Sequence, residues 1–279
     1  MNWIEMLKAF VQGIVQGVTE WLPISSTGHI LLLDAVWKMN LSEAFFDIFK
    51  VVIQLGSIMA VIVLFFNKLN PFSIKKTQAQ RQNTWQLWGK VLIASVPAAA
   101  AGLLLDDWID THLEAWYVIA PALAVYGGLF IWMERRQRQK QTIRIHNFEQ
   151  LSWRTALLIG AFQMLALIPG TSRSGATILG AVLLGASRYI AAEFSFFMAI
   201  PVMFGASGLK LVKHADKLSG FTSTEWGALL VGTVVAFIVS LITIRFLIDF
   251  VKKHSFEPFG WYRIGLATAV TAYFLLIPH

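Results

Sequence analysis

The segments QGVTEWLPISSTGH (residues 16–29) and QMLALIPGTSRSG (residues 163–175) repeat one another at a distance of 147 residues. The matching pairs are Gln16 with Gln163, Ser25 with Ser172, Thr27 with Ser174, and Gly28 with Gly175. Both segments are polar and broken by glycine and proline, although the sequence around them is strongly hydrophobic. Such repeated interruptions indicate a membrane protein with inverted repeats, in which half-helices form a site near the middle of the bilayer.

The composition is that of a polytopic membrane protein. Of the 279 residues, 56% are hydrophobic and only 14% are charged, and the mean hydropathy is +0.62, which lies well outside the usage of soluble domains. The net charge of +7 does not indicate a nucleic-acid partner, because the basic residues lie in short connectors, where orientation signals occur. The sequence has no cysteine, which excludes disulfides and thiolate chemistry.

Six stretches approach the roughly 20 apolar residues that a spanning helix needs, and they are residues 45–66, 86–105, 115–133, 190–212, 226–248 and 261–277. Two further segments, 3–37 and 154–188, are split by Pro23 and Pro169 into pieces too short to cross. We interpret both as re-entrant helical hairpins, whose irregular tips are tolerated where protein or a wet cavity covers them. The sequence thus predicts an all-α polytopic protein, with eight complete spans as the alternative.

Loop charges predict the orientation. The 67–90 connector carries five basic residues and no acidic one. The 106–114 connector carries no Lys or Arg, and its acidic residues are Asp106, Asp107, Asp110 and Glu114. Because cytoplasmic loops are enriched in Lys and Arg, the first connector is expected inside and the second outside. The basic connector at 134–154 then returns to the cytoplasm.

Each half of the chain therefore has one hairpin and three crossings. An odd number of crossings places the second half upside down relative to the first, so the repeat is predicted to have inverted topology. We expect one integral membrane domain over residues 1–279, with repeats at about 1–135 and 152–279. The two broken tips are then expected to meet inside the membrane.

The first tip contains residues suited to an anionic ligand. Gln16 and Glu20 are four residues apart, so on a helix they share a face and can converge on one ligand or cation. The run Ser25–Gly28 has the composition of a helix start, where free N–H groups attract phosphate. Ser26 and His29 are three residues apart, which brings a hydroxyl within reach of an imidazole. The candidate substrate-binding residues of this tip are Gln16, Ser25, Thr27 and Gly28, and the candidate catalytic residues are Glu20, Ser26 and His29.

The second tip has Arg173 at the position of Ser26, and the planar donor fork of arginine suits phosphate oxygens. Its candidate substrate-binding residues are Gly170, Thr171, Ser172 and Ser174. A carboxylate, a histidine, an arginine and several hydroxyls at facing helix ends together predict phosphoryl transfer. Structural alternatives are helix capping for the hydroxyls, an interior hydrogen bond for His29 and small-residue helix packing beside Gln16.

At these residues the chain resembles the undecaprenyl-diphosphate phosphatases of the bacitracin-resistance type, integral membrane enzymes of bacterial cell-wall synthesis. The resemblance runs nearly end to end. The motifs that carry it are Gln16-x-x-x-Glu20, Pro23-x-Ser-Ser-Thr-Gly-His29, Val52-Ile-Gln-Leu-Gly56, Pro169-Gly-Thr-Ser-Arg-Ser-Gly-Ala-Thr177 and Glu193-Phe-Ser-Phe196. That family carries Glu or Gln at the first position of its acidic motif, and Gln16 here leaves Glu20 as the only carboxylate of the pair.

The resemblance implies hydrolysis of the terminal phosphate of undecaprenyl diphosphate in the bacterial inner membrane, at a site open to the outer face. It also implies a divalent cation, Mg²⁺ or Ca²⁺. By matching positions, Glu20 would bind the cation or orient water, and Ser26 or its neighbouring hydroxyls would hold or attack phosphate. His29 would act as general acid/base, and Arg173 would neutralise the diphosphate.

Two questions stay open at the level of sequence. Ser26 fits either a covalent nucleophile or a hydrogen-bond donor, and the oligomeric state is not fixed, a homodimer being one arrangement. The alternative function is an inverted-repeat transporter or a polyprenyl-phosphate flippase, in which His29 and Glu20 form a proton relay.

Overall fold

The computed structural model describes residues 2–113, 115–140 and 143–276. The helices are α1 (Trp3–Thr19), α2 (Ser26–Val36), α3 (Glu43–Leu64), α4 (Phe66–Leu69), α5 (Gln78–His112), α6 (Trp116–Lys140), α7 (Trp153–Met164), α8 (Arg173–Leu183), α9 (Arg188–Lys213), α10 (Ala215–Leu218), α11 (Ser223–Lys253) and α12 (Glu257–Leu276). A 3₁₀ turn, Leu165–Leu167, follows α7. No strand forms within the described ranges, so the all-α prediction is confirmed.

Among the described residues, five helices are long and apolar enough to cross a membrane, namely α3, α5, α6, α9 and α11, which confirms a polytopic architecture. The sixth predicted span corresponds to α12, a continuous helix of 20 residues that contains Arg263 and is not among those five. Position 277, the end of that predicted span, lies outside the described residues.

Helix α5 is longer than predicted. It continues through the acidic stretch that we assigned to an external connector and ends at His112, because no glycine or proline interrupts the sequence between Leu103 and that residue. At its other end, Thr77 forms a capping box with Gln80, which begins the helix well before the predicted start at residue 86. Glu114 lies outside the described residues.

Both predicted interruptions are confirmed, and they are alike in detail. Helices α1 and α2 are separated at residues 20–25, as α7 and α8 are at residues 165–172. Ser25 has φ +72° and Ser172 has φ +73°, a left-handed conformation that is uncommon for residues other than glycine. Each serine side chain accepts from the backbone N–H three residues later, at 3.4 Å and 3.2 Å respectively, and so starts α2 or α8.

The halves of the chain pack against each other through equivalent helices. Helix α1 lies on α11 just as α7 lies on α5, and α3 packs on α9 while α6 packs on α12. Glycine allows the closest approaches. A Cβ atom at Gly13 would lie 2.6 Å from the Gly232 carbonyl oxygen, and one at Gly160 would lie 2.1 Å from that of Ala94. This exchange of partners supports structurally equivalent halves, while the repeat limits and the inverted orientation stay predictions.

Helix α9 forms the rigid backing of the two tips. Its residues from Ile190 to Ile200 are all buried, and the apolar ones belong to the largest apolar cluster, in which Phe194, Phe196 and Phe197 have no exposed surface. Trp21 of the first tip packs edge-on against Phe196, with ring centroids 5.2 Å apart. The tips are therefore held against a densely packed surface.

Candidate active site

Glu20 lies at the centre of a polar cluster that joins the two broken tips. It caps the C-terminal end of α1, and Arg173 is the first residue of α8. The Arg173 Nη2 atom donates to Glu20 Oε1 at 2.9 Å. The other carboxylate oxygen accepts from Gln16 Nε2 at 3.1 Å and from Ser26 Oγ at 3.2 Å. Gln16, Ser26 and Arg173 thus all bind the carboxylate of Glu20, although Arg173 is 153 residues away from it in the sequence.

The ion pair is buried. The Arg173 side chain is 12% exposed and that of Glu20 8%, so their attraction acts in a medium of low effective dielectric. The prediction that these two groups converge is confirmed. The prediction that Gln16 and Glu20 share one helix face is also confirmed, since their side chains form a hydrogen bond.

The rest of the Arg173 guanidinium is held by α9. Its Nη1 atom donates to the Ser195 carbonyl oxygen at 2.9 Å, and its Cζ atom lies 5.6 Å from the centre of the Trp21 ring. Its Nε atom is buried and has no hydrogen-bond partner among the described residues. One donor of the fork is therefore available to an anion that enters the cluster. Ser195 was missed as a separate site residue, although the Glu193-Phe-Ser-Phe motif contains it.

Several predicted substrate-binding residues have structural roles in this structure. Ser174 Oγ donates to the Glu20 carbonyl oxygen at 3.1 Å, which locks one tip to the other. Ser25 and Ser172 cap α2 and α8, and their acceptor oxygens are used by the amides of Gly28 and Gly175. Helix capping is thus observed for Ser25 and Ser172, and substrate binding by these residues stays a prediction.

Arg263 of α12 is a second arginine at the tips. Its charge predicted a place in the last internal loop, which is wrong, because the side chain is buried between the tips. Its side chain is completely buried. Its Nη1 atom donates to the Pro23 carbonyl oxygen at 3.2 Å, and its Nη2 atom donates to those of Gly170 and Thr171 at 2.8 Å and 2.9 Å. Gly170 and Thr171 therefore contribute their carbonyl groups to Arg263. One guanidinium crosslinks the backbones of both tips.

His29 does not join the Glu20 cluster in this structure. Its Nδ1 atom lies 2.7 Å from the Ser25 carbonyl oxygen, and its Nε2 atom lies 2.7 Å from the Tyr262 hydroxyl. Because a carbonyl only accepts, Nδ1 carries the proton, and Nε2 of the neutral ring accepts from tyrosine. The expected contact between the Ser26 hydroxyl and the imidazole is absent, since both ring nitrogens have these other partners. Tyr262 lies 233 residues away, and no local pattern indicates it.

A cavity of about 1060 Å³ opens beside the cluster. Ser26 and Thr27 at the start of α2 line its inner end. The basic residues along its walls are Lys50, Lys210, Lys213, His214 and Lys217, and the acidic ones are Asp34, Asp47 and Asp216. The cavity combines apolar walls with charged groups, a character that suits an amphipathic anion.

The described residues contain no group of three His, Asp or Glu side chains that could hold a metal ion alone. Gln16 Oε1, however, is buried and has no hydrogen-bond partner in the described structure, because the amide nitrogen must face Glu20. A single carboxylate, a free amide oxygen and a hydroxyl fit a hard cation that takes its remaining ligands from a bound phosphate and water. The residues thus fit a cation that is shared with a phosphorylated ligand.

Comparison with known proteins identifies the family. Residues 9–269 match the family described as "Bacitracin resistance protein BacA". The chain is 54% identical to the undecaprenyl-diphosphatase of Lactiplantibacillus plantarum, over 98% of this chain and 99% of the relative. It is 54% identical to the undecaprenyl-diphosphatase of Limosilactobacillus fermentum, over 99% and 100%, and to undecaprenyl-diphosphatase 1 of Clostridioides difficile, over 98% of each chain. The chain belongs to the BacA family, as its two tip motifs predicted.

Proposed function

We propose that this protein hydrolyses undecaprenyl diphosphate to undecaprenyl phosphate and inorganic phosphate, and so recycles the lipid carrier of cell-wall synthesis. Relatives about half identical over their full length bear the name of this activity. The observation that carries the proposal is the buried Glu20–Arg173 pair, which joins the two tips next to the Ser26 hydroxyl. A carboxylate, an arginine fork and a hydroxyl at one point suit the terminal phosphate of a diphosphate.

Arg173 is proposed to bind the diphosphate. When that anion enters, it competes with Glu20 for the guanidinium, and the unpartnered Nε atom offers a further donor. Contacts from Ser195 keep the guanidinium plane fixed, so little reorganisation is needed as negative charge moves to the leaving oxygen. Arg173 thereby stabilises the transition state as well as the bound substrate.

Ser26 fits two roles. As a nucleophile, its Oγ atom would bond to the terminal phosphorus while the bond to the bridging oxygen breaks and undecaprenyl phosphate leaves. Glu20 would take the hydroxyl proton, and water would then cleave the phosphoserine to inorganic phosphate and restore the hydroxyl. As a donor, it would hold the phosphate while water attacks. Only the first role leaves phosphate on the protein, so acid-quenched single turnovers with substrate labelled in its terminal phosphate distinguish them.

The proposed site lies on the outer side of the bacterial inner membrane. The cavity beside Ser26 is lined by α2, the end of α9 and the start of α3. The basic 67–90 connector and the acidic 106–114 connector, together with the alternation of the crossings, predict that these ends lie outside. The diphosphate would occupy the polar inner end, while the polyprenyl chain continues into the surrounding lipid.

The test is phosphate release from undecaprenyl diphosphate by the purified protein in detergent micelles, where no transmembrane gradient exists. Sustained release supports the phosphatase, whereas a transporter or flippase produces none under these conditions. A protein with a correct thermal transition but no release in any divalent cation would contradict the proposal. The double variant Glu20→Ala/Arg173→Ala, measured in parallel, reveals contaminating phosphatase.

Activity is expected to require a divalent cation. We propose that Mg²⁺ or Ca²⁺ is held by Glu20, the Gln16 amide oxygen and the substrate phosphates together, where it would neutralise phosphate charge. Chelation should therefore lower phosphate release by more than about tenfold, and the added cation should restore it. Full activity after exhaustive chelation would contradict this part of the proposal.

Tyr262 is expected to position His29, the proposed general acid/base. Tyr262→Phe removes one hydrogen bond to the imidazole and should lower kcat by about 2–10-fold, the effect of one bond of 0.5–1.5 kcal/mol. KM should change little, because the tyrosine acts through His29 rather than on the diphosphate. His29→Ala should lower kcat further, and adding Tyr262→Phe to it should have no additional effect. An additive double variant would show that the tyrosine acts independently.

A further inference from the structure

A second basic cavity lies at the other end of the molecule, on the side that the loop charges assign to the cytoplasm. It has a volume of about 280 Å³ and lies where the connector after α4 meets the first turns of α5. Its charged lining consists of Lys68, Lys76, Lys90 and Glu149. It shares no lining residue with the cavity beside Ser26.

Two of these lysines lack a carboxylate partner within the part of the chain that the structure describes. Lys76 Nζ donates to the Lys68 carbonyl oxygen at 3.0 Å and to Thr84 Oγ1 at 2.8 Å. Lys90 is only 4% exposed, and its Nζ atom donates to the Phe148 carbonyl oxygen at 2.7 Å. Burial also lowers the pKa of Lys76. Ammonium groups held by neutral oxygens in a recess are poorly compensated, which favours a bound anion.

The remaining charges compensate them only in part. Lys68 is paired with the buried Glu193 at 2.7 Å. Glu149 is exposed, and its carboxylate accepts from Asn83 at 3.1 Å and attracts Lys90 electrostatically. Three ammonium groups therefore face two carboxylates, one of which already neutralises Lys68.

The surface beside the cavity has the character of a membrane interface. Phe72 is 74% exposed, Ile74 90% and Trp85 53%, and the Phe72 and Trp85 rings meet edge-on at 5.5 Å. Exposed aromatic and aliphatic side chains directly next to lysines are typical of segments that lie in the headgroup region. Basic recesses between transmembrane helices on the cytoplasmic side are typical sites for anionic headgroups.

We propose that this cavity binds the phosphodiester headgroup of an anionic phospholipid of the inner leaflet, with Lys68, Lys76 and Lys90 around the phosphate and Phe72, Ile74 and Trp85 against its acyl chains. The site is separate from the active site and does not depend on the proposed phosphatase activity. Free inorganic phosphate offers similar oxygens but cannot use the apolar residues. Contact with both groups of residues therefore distinguishes the lipid from the ion.

The experiment compares three probes on the purified full-length protein in neutral detergent: dioctanoyl phosphatidylglycerol, dioctanoyl phosphatidylcholine and inorganic phosphate. Binding is measured by native mass spectrometry. We expect phosphatidylglycerol to bind at least about tenfold more tightly than phosphatidylcholine, and added salt to weaken it. Equal affinity for the two lipids, or for phosphatidylglycerol and inorganic phosphate, would overturn the proposal.

Lysine variants locate the site. Lys76→Gln should weaken phosphatidylglycerol binding by about fivefold, and a second change, Lys68→Gln, by a similar factor. The matched control is Lys75→Gln, since Lys75 is the neighbouring exposed lysine and does not line the cavity. Equal losses for Lys75→Gln and Lys76→Gln would indicate general attraction to the basic connector and would overturn the assignment. Ile74→Ser should weaken phosphatidylglycerol binding as well, and retention of full affinity would contradict the acyl-chain contact.

Discussion

Replacement of Arg173 by alanine should lower kcat/KM for undecaprenyl diphosphate by about 10³-fold or more, the range found for arginines and fixed donors that stabilise phosphoryl or oxyanion charge. The change removes the fork that faces Glu20 and the proposed phosphate, and it leaves the Trp21 face without its cation. Phosphate release at several substrate concentrations measures the effect. Because the diphosphate gains negative charge at its leaving oxygen, the fall should be larger in kcat than in KM.

The controls separate chemistry from folding. Arg173→Ala leaves the Glu20 carboxylate buried without its partner, a change that costs about 3–5 kcal/mol where a buried pair is broken. Glu20→Ala/Arg173→Ala removes both charges and should recover most of the thermal stability without recovering activity. Arg173→Lys should keep part of the activity, since it retains a charge but loses the fork. Near-normal turnover by Arg173→Ala would remove Arg173 from the site.

The tips could be predicted from the sequence because the residues that form each tip are close together in the chain. Proline, glycine and hydroxyl residues interrupt two hydrophobic segments, and the repeated spacing of 147 residues shows that the interruptions are equivalent. The structure places a left-handed serine at each break. Contact between Glu20 and Arg173 followed from this equivalence, because tips of inverted halves are expected to meet inside the membrane.

The surroundings of the tips could not be predicted in the same way. Tyr262 and Arg263 belong to α12, more than 230 residues beyond the first tip, and their contacts depend on how complete helices pack. The three-residue spacing of Ser26 and His29 predicted a contact that the fold does not make. The carbonyl oxygen of Ser25, which has a left-handed φ, instead accepts a hydrogen bond from Nδ1–H of His29, and the other ring nitrogen faces Tyr262.

Helix limits were least well predicted where charge and secondary structure disagree. The acidic end of α5 and the basic start of the same helix were assigned to connectors, because charged residues do not belong in the hydrocarbon core. Both are helical, since a helix continues into water as long as its residues favour it. Charge therefore did not predict where this helix begins and ends.

The guanidinium group of Arg263 binds both tips and stabilises their close approach. The carbonyl oxygens of Pro23, Gly170 and Thr171 point to one buried place, and Arg263 donates to all three. Tyr126 lies against the guanidinium, with its ring centre 5.6 Å from Cζ. Without these donors the carbonyl groups would be desolvated and unpaired, at a cost of about 1–3 kcal/mol each.

Arg263→Met should therefore destabilise the folded protein by several kcal/mol, at about 1–3 kcal/mol for each of three unpaired carbonyl groups, and should abolish activity by separating the tips. Arg263→Lys should be intermediate, because a compact ammonium cannot reproduce the fork that reaches both tips. Arg245→Met is the matched control, since Arg245 is exposed on α11 and the same exchange there removes no contact with the tips. The thermal midpoint in detergent and phosphate release are measured on all three. Equal midpoints for Arg263→Met and Arg245→Met would show that the tips hold together without Arg263, because an essential crosslink cannot be removed without a loss of stability.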